Sequence, residues 1–301
     1  MLSIKFITHS SNTSFYRLTK LWIKYFNNQD NIVATSSDIK TDVTVLHPAI
    51  DILVNLRKVD KQKDGLIVCV DVSDTDRVSQ KYSSVINSNC DVVITHSEWS
   101  KKGMINGGVN VPIKVISHGI EYKKVRHECG VGFYLSFLPE QIYRKGTDLA
   151  INVLNRLKNL NIIVKQYQTN YPLKWKTIGW VNDIYEEYYS KFSLFVHLPR
   201  GGAQELEVYE ALASGCNVIV PDHPLFEGLP VIRAKSHYIP KIILPYWLQE
   251  YHIGGGYEAD VDDVVDKIYK SIDLPPPDYK PKTMEEFVKE FISVINEYLQ
   301  K

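Results

Sequence analysis

The 301-residue chain carries 35 Lys and Arg against 35 Asp and Glu, a formal net charge of zero, with 44% apolar and 23% charged residues. This is an ordinary globular balance, and it excludes a strong overall pull toward nucleic acid or an anionic membrane. The length exceeds what one hydrophobic core usually sustains, so two domains are expected.

The N-terminal stretch MLSIKFITHSSNTSFYRLTK has no uninterrupted apolar core and no small-residue cleavage site, so it does not read as a signal peptide. Leu2–Thr8 reads as a strand, after which Phe15, Leu18, Trp22, Tyr25 and Phe26 recur at helical spacing. Further strands are predicted at 43–46, Leu66–Val70, Val92–Thr95 and 113–117. Strands alternating with helical patterns point to β-α units and a parallel sheet, and the continuous apolar runs LIVCV and DVVIT suit strands buried on both faces.

The charged segment EYKKVRHECG breaks this pattern, and 123–130 reads as a linker after a first domain over 1–122. A second series follows over 131–280: VGFYLS, a helix over 148–157, NIIVKQ, SLFVHLP and NVIVP. Pro275, Pro276 and Pro277 end it. In the last segment, 281–301, Thr283 and Glu286 form a capping box, and Met284, Phe287, Phe291, Val294 and Tyr298 make an apolar stripe suited to packing. The predicted fold is α/β, two Rossmann-like doubly wound domains, with ligands expected in a cleft between them.

Cys69, Cys90, Cys129 and Cys216 form no C-x-x-C pair, which argues against a zinc or redox motif. Cys69 and Cys216 read as buried small hydrophobes, and four scattered thiols fit a reducing compartment, hence a cytoplasmic protein. No apolar run approaches a membrane span. The basic clusters Lys101-Lys102 and Lys123-Lys124 with Arg126 read as solvated faces.

The most informative stretch is SLFVHLPRGGAQELEVYEALASGCNVIVPDHPLFEGLP, residues 193–230. A strand runs into Pro199, Arg200, Gly201 and Gly202; a helix carrying Glu210 follows and ends at Ser214-Gly215. The glycine pair lets backbone approach a ligand, the helix start can hold an anion, and Glu210 can accept two hydrogen bonds from a ribose diol.

Glu210-Ala211-Leu212-Ala213-Ser214-Gly215 resembles the Glu-Ala-Met-Ala-x-Gly run that the second Glu of a Glu-x7-Glu motif opens in retaining GT-B glycosyltransferases of the GT4 type. The resemblance implies the GT-B fold, with the C-terminal helix crossing back to the N-terminal domain, and a donor-ribose role for Glu210. The first Glu of the motif, which contacts the transferred sugar in that family, falls on Gly202, with Ala203 beside it; Glu205 or Glu207 could substitute after a local shift. Tyr143-Arg144-Lys145-Gly146-Thr147-Asp148-Leu149 resembles the family's Lys-Gly-x-Asp-x-Leu segment. It implies that Lys145 binds the donor phosphates, with Arg144 standing in for an Arg the family places earlier.

A third match begins at Asp74-Thr75-Asp76-Arg77 and runs through CDVVITHSEWSKKGMINGGVNVPIKVISHGIEY, similar to the acceptor-side pattern of one GT4 branch. Ser97 falls on its serine turn and His118 on its final turn, where a ligand role and simple packing are both open. Asp71, Asp74 and Asp76 are candidates on that side, Asp74 at the reacting centre. Ser11 and Asn12, after the first strand, lie where the family has a Gly-rich loop facing donor phosphate and acceptor.

The implied activity is transfer of a sugar from a nucleoside-diphosphate donor (UDP, GDP or ADP) to a glycan, lipid or protein acceptor with retention of configuration. No cofactor or metal is expected, because Lys145, Arg144 and a helix start supply the positive charge. Nucleic acid is not an expected partner, and nothing in the sequence supports peripheral membrane contact. A sugar-nucleotide epimerase on the same fold and a binding protein without turnover are the alternatives.

Overall fold

The computed structural model describes residues 1–9, 13–55, 59–138, 141–167 and 172–300. It divides into two compact units, Met1–Gly119 with Lys282–Lys301, and Ile120–Pro281.

In the first unit the chain runs through β1 (Leu2–Thr8), α1 (Ser14–Phe26), β2 (Ile32–Thr35), β3 (Val43–His47), α2 (Ala49–Asn55), α3 (Lys61–Asp64), β4 (Leu66–Val70), α4 (Gln80–Asn89), β5 (Val92–Thr95), α5 (Glu98–Asn106) and β6 (Ile113–Val115). The strands pair in parallel in the order β2-β1-β3-β4-β5-β6. Their apolar runs are buried because helices cover the sheet: Ile4, Phe6, Val43, Val45, Val68, Val70, Val92 and Ile94 share one core with Trp22 and Phe26 of α1.

In the second unit the elements are β7 (Val131–Ser136), α6 (Thr147–Arg156), β8 (Ile162–Tyr167), β9 (Lys176–Ile178), α7 (Ile184–Glu187), β10 (Leu194–Val196), α8 (Leu206–Ser214), β11 (Asn217–Pro221), β12 (Ile232–Ala234), β13 (Ser236–Ile239), α9 (Tyr246–Gln249), β14 (Gly256–Ala259) and α10 (Val261–Ser271). Its parallel sheet has the order β12-β11-β10-β7-β8-β9, and β13 and β14 form a separate antiparallel pair. The charged segment 123–130 is packed within this unit: Val125 N donates to Ser214 O at 3.4 Å and Glu128 N to Ser190 O at 2.8 Å.

The last helix, α11 (Met284–Leu299), returns to the first unit and buries Phe287, Val288, Phe291 and Ile295 in its core. Thr283 Oγ1 accepts from Glu286 N at 3.2 Å and Glu286 Oε2 accepts from Thr283 N at 2.8 Å, the reciprocal cap read from the sequence. Among the described residues no helix is long and apolar enough to cross a membrane.

Cys69 and Cys90 are joined in a disulfide, their Cα atoms 5.8 Å apart, which corrects the reading of these residues as thiols; Cys129 and Cys216 are free. The crossover through α4 brings its end back beside the strand it left, so positions 21 apart become neighbours without any motif spacing. Four thiols therefore no longer argue for a reducing compartment.

Each parallel sheet is wound outward from a central strand, first one way and then the other. The direction reverses between β1 and β3 in the first sheet and between β7 and β10 in the second. Open α/β sheets bind ligands beyond the carboxyl ends of the strands at such points.

Candidate functional site

Two loops leave the switch point of the second sheet, one from β7 to α6 and one from β10 to α8, and a chain of close contacts locks them together. Gly146 has a positive φ of +66°, and a Cβ there would lie 1.8 Å from the carbonyl oxygen of Leu198. Only glycine allows this approach of the two loops. Two residues on, Asp148 takes the Arg200 guanidinium in a fork, with Nη1 to Oδ1 and Nη2 to Oδ2 both at 2.7 Å. Arg200 Nε also donates to Glu258 Oε2 at 2.6 Å, Nη1 donates to Tyr143 O at 2.6 Å, and the guanidinium lies 3.9 Å from the centre of the Tyr143 ring. Burial works against the Arg200 charge, but Asp148 and Glu258 outweigh it and hold the group more firmly cationic than usual. Arg200 is thus buried and held by Asp148, Glu258 and the Tyr143 carbonyl, which makes it the fixed point of the site.

Around this point the sequence-predicted donor residues converge. Lys145 Nζ lies 2.5 Å from Glu205 Oε2 and 3.7 Å from Glu207 Oε1, and Arg144 Nη1 lies 3.6 Å from Glu205 Oε1. His197, at the end of β10, places Nε2 2.7 Å from Glu205 Oε2. Glu205 is buried, which alone would raise its pKa; Lys145, His197 and Arg144 overcome that and hold it well below the usual carboxylate range. Burial likewise opposes the Lys145 charge, and Glu205 and Glu207 more than restore it, so the ammonium persists. His197, Glu205 and Glu207 have ligand atoms within 4.8 Å of one another, but the positive charge among them is already the Lys145 ammonium.

Gly201, Gly202 and Ala203 are buried in the same loop. A Cβ at Gly202 would lie 2.2 Å from Glu205 Oε1, so the absence of a side chain there leaves the space that the Glu205 carboxylate fills. Glu205 sits at the N-cap of α8 yet makes no capping hydrogen bond with its side chain, which turns to Lys145 instead. Farther along α8, Glu210 Oε2 accepts from Tyr189 Oη at 3.0 Å. Burial, then the charge of Glu207, push its pKa up to about 7, against the opposing hydrogen bond from Tyr189 and the charge of Lys165. Gly215, at φ +105°, closes the helix in the left-handed conformation.

Lys145, Arg144, Glu205, Gly201, Gly202, Ala203 and Glu210 thus lie on one pair of loops and the helix that follows. Ser11 and Asn12 fall outside the described residues. Asp71, Asp74, Asp76, Ser97 and His118 belong to the first unit. Asp71 accepts from Ile50 N at 2.5 Å and Val72 N at 2.7 Å; burial dominates and raises its pKa to about 7. Asp74 and Asp76 lie in the bend after β4, where the carbonyl of Asp76 accepts from Asn106. Ser97 caps α5, its hydroxyl accepting from Ser100 N at 3.2 Å.

His118 is packed inside the first unit: its Nε2 accepts from Trp22 Nε1 at 2.7 Å, Nδ1 contacts the carbonyl of Gly119, and its ring stacks on Phe287. This pairing assigns the neutral Nδ1-protonated tautomer. Burial and then the neighbouring His96 lower its pKa to about 3. The packing role left open by the sequence is the one these contacts describe.

Sequence reasoning did not single out Arg200, His197, Asp148, Glu258 or Tyr189 as site residues. Asp148 was inside a quoted motif, and Arg200 and His197 follow the strand that opens the signature, but Glu258 and Tyr189 come from distant elements and carry no local signal.

No family model matches the chain. It is 26% identical over 243 residues to "Putative glycosyltransferase 45" of Sulfolobus islandicus filamentous virus (isolate Iceland/Hveragerdi), covering 74% of this chain and 68% of that protein. Among solved structures it is similar to Anabaena HepE in complex with UDP and glucose, with a TM-score of 0.69 at 13% identity over 98% of this chain and 100% of that one. It is also similar to the apo form of the lipopolysaccharide outer core galactosyltransferase WaaB, with a TM-score of 0.59 at 12% identity, covering 98% and 99% of the two chains. These likenesses establish the fold: the chain is a GT-B protein built of two Rossmann-like domains.

Proposed function

We propose that this chain is a glycosyltransferase of the GT4 kind that takes a UDP-sugar as donor and transfers the sugar with retention of configuration. The observation that carries the reading is the Lys145–Glu205 centre at the switch point of the second sheet, with Arg144, the start of α8 and Glu210 alongside. The name of the viral relative and the UDP and glucose bound by HepE support it.

In this reading the donor diphosphate takes the cationic side of the centre. Lys145 is permanently charged and rigidly held, which suits stabilisation of the negative charge that grows on the leaving diphosphate. Arg144 adds a second cation and the first N–H groups of α8 a fixed dipole. Glu205 occupies Lys145, so the diphosphate and this carboxylate share or exchange the ammonium on binding. Glu205 then supplies the carboxylate that the family motif places at the position of Gly202, ready to accept hydrogen bonds from the transferred sugar. Glu210, in its ionised form, accepts from the ribose hydroxyls. These roles use only side chains and helix dipoles and need no metal.

The test is a thermal-shift series with UDP, GDP, ADP and their sugars, since a ligand bound only by the native state stabilises it by about 2.7 kcal/mol at a hundredfold excess over Kd and so raises the melting temperature. UDP and UDP-sugars should raise it most. Lys145→Ala should abolish that shift while the exposed control Lys289→Ala keeps it. Equal shifts in the two variants would discard the assignment. Product analysis with donor alone separates transfer from epimerisation.

A further inference from the structure

The strand β10 and the two residues after it are apolar except at His197. Leu194, Phe195, Val196 and Leu198 are buried, and the His197 side chain among them is wholly out of contact with solvent. The sheet fixes the imidazole. Its backbone N donates to Ile219 O of β11 at 3.0 Å, Phe195 stacks nearly parallel to it at 6.0 Å, and Tyr134 of β7 meets it edge-on at 6.4 Å. Nε2 reaches Glu205 Oε2 at 2.7 Å, while Nδ1 is buried with no hydrogen-bond partner among the described residues. An apolar side chain would fill this position without leaving a buried nitrogen unmatched. The histidine is therefore explained by its one polar contact, the N–H given to Glu205.

The two oxygens of Glu205 are unlike. Oε2 is shared by His197 and by Lys145, whose Nζ lies 2.5 Å away. Oε1 stands over Gly202 and has Arg144 Nη1 at 3.6 Å, beyond hydrogen-bond reach. The two holders of Oε2 also differ in kind. Lys145 carries a point charge on a flexible stem, which an entering anion attracts, whereas His197 is a rigid ring packed against the sheet.

We propose that His197 is a positioning residue for sugar transfer: it retains Glu205 Oε2 when the donor diphosphate draws the Lys145 ammonium, so that Oε1 stays over Gly202 and accepts a hydrogen bond from a hydroxyl of the transferred sugar. The inference rests on the glycosyl-transfer reading above and adds the anchor that the carboxylate needs once Lys145 is engaged by phosphate. Without His197 the diphosphate still meets Lys145, Arg144 and the start of α8, but Glu205 follows the ammonium and leaves the sugar.

The experiment compares the full chain as wild type, His197→Phe and His197→Gln. Phenylalanine keeps a ring and removes the donor; glutamine restores an N–H at a similar reach from the strand. The ligand-free melting temperature, the Kd for UDP by calorimetry, and kcat and KM for UDP release from UDP-glucose with water as acceptor are measured. His197→Phe should melt no lower than wild type and bind UDP within about twofold, because UDP carries no sugar. Its kcat should fall about 10- to 100-fold, with KM changed less, the loss usual for a partner that orients a liganding group. His197→Gln should recover part of that loss. A kcat within about twofold of wild type in His197→Phe overturns the inference. So does a melting temperature lowered by more than about 5 °C, which marks a packing role, and so does a glutamine variant no faster than the phenylalanine one. A UDP Kd weakened as much as kcat falls places His197 in the diphosphate seat and also overturns it, as does a wild type that binds UDP-glucose yet releases no UDP. A wild type that binds no UDP removes the donor reading, and this inference with it.

Discussion

Gly146→Ala separates a steric demand from ordinary helix capping. Alanine at φ +66° costs about 1 kcal/mol from its left-handed backbone alone. The added Cβ would also stand 1.8 Å from the Leu198 carbonyl oxygen, where contact requires more than 3 Å. The β10–α8 loop must then retreat by over an ångström, and Asp148 and Tyr143 hold that loop through Arg200. Strain of this kind is worth about 1–3 kcal/mol, so the total is on the order of 3 kcal/mol. For a unit of this size that lowers the melting temperature by about 6–12 °C. Gly179→Ala is the control, because nothing lies within 4 Å of a Cβ there. Circular dichroism melts of both variants decide the matter, and a Gly146→Ala melt within 1 °C of Gly179→Ala would refute the steric reasoning. The same variant should lose UDP binding, since displacement of the loop carries the start of α8 away from Lys145.

Glu210 has its folded pKa raised to about 7 from a reference of 4.5, so the native state holds more protons than the unfolded chain between those values. Its contribution is intact at low pH and declines as pH rises through that window, by about 3 kcal/mol. The melting temperature of Glu210→Gln relative to wild type should therefore rise between pH 5 and pH 8; a constant difference would remove the buried-carboxylate explanation. Titration of denatured protein with a thiol reagent should find two thiols before reduction and four after. Reduction should cost about 3 kcal/mol through the released loop, read as a lower melting temperature in reductant. Lys5 lies buried on β1 with Nζ 2.8 Å from Asp64, itself buried. Lys5→Met should destabilise by about 3–5 kcal/mol, and Lys5→Met with Asp64→Leu should recover most of it; denaturant melts that show no recovery would mean the cost is packing rather than an unpaired charge.

Most of the fold was legible because parallel strands buried on both faces read as apolar runs. Val131–Ser136 and Asn217–Pro221 coincide with β7 and β11, and the capping box at Thr283 marks the start of α11 within a residue. The strand β2 escaped notice because IVAT is short and half-exposed at the sheet edge. Lys145, Gly146 and Glu210 were visible because each sits in a local motif whose spacing the backbone imposes. Glu205 was visible only as one of two candidates. What selects it is the space over Gly202 together with the approach of Lys145 and His197 from two other segments, and no linear pattern encodes that meeting. The Arg200 clamp was invisible for the same reason: Asp148 and Glu258 reach it from segments distant in the chain. The disulfide shows the converse error, where the lack of motif spacing suggested thiols and the crossover through α4 joined them.

A crystal structure of the chain with UDP-glucose bound would examine the donor site itself. The diphosphate should lie within hydrogen-bond reach of Lys145 Nζ and near the start of α8, with both ribose hydroxyls donating to Glu210. A nucleotide bound elsewhere, or the diphosphate kept away from Lys145 by an unmoved Glu205, would contradict the assignment of this centre to the donor.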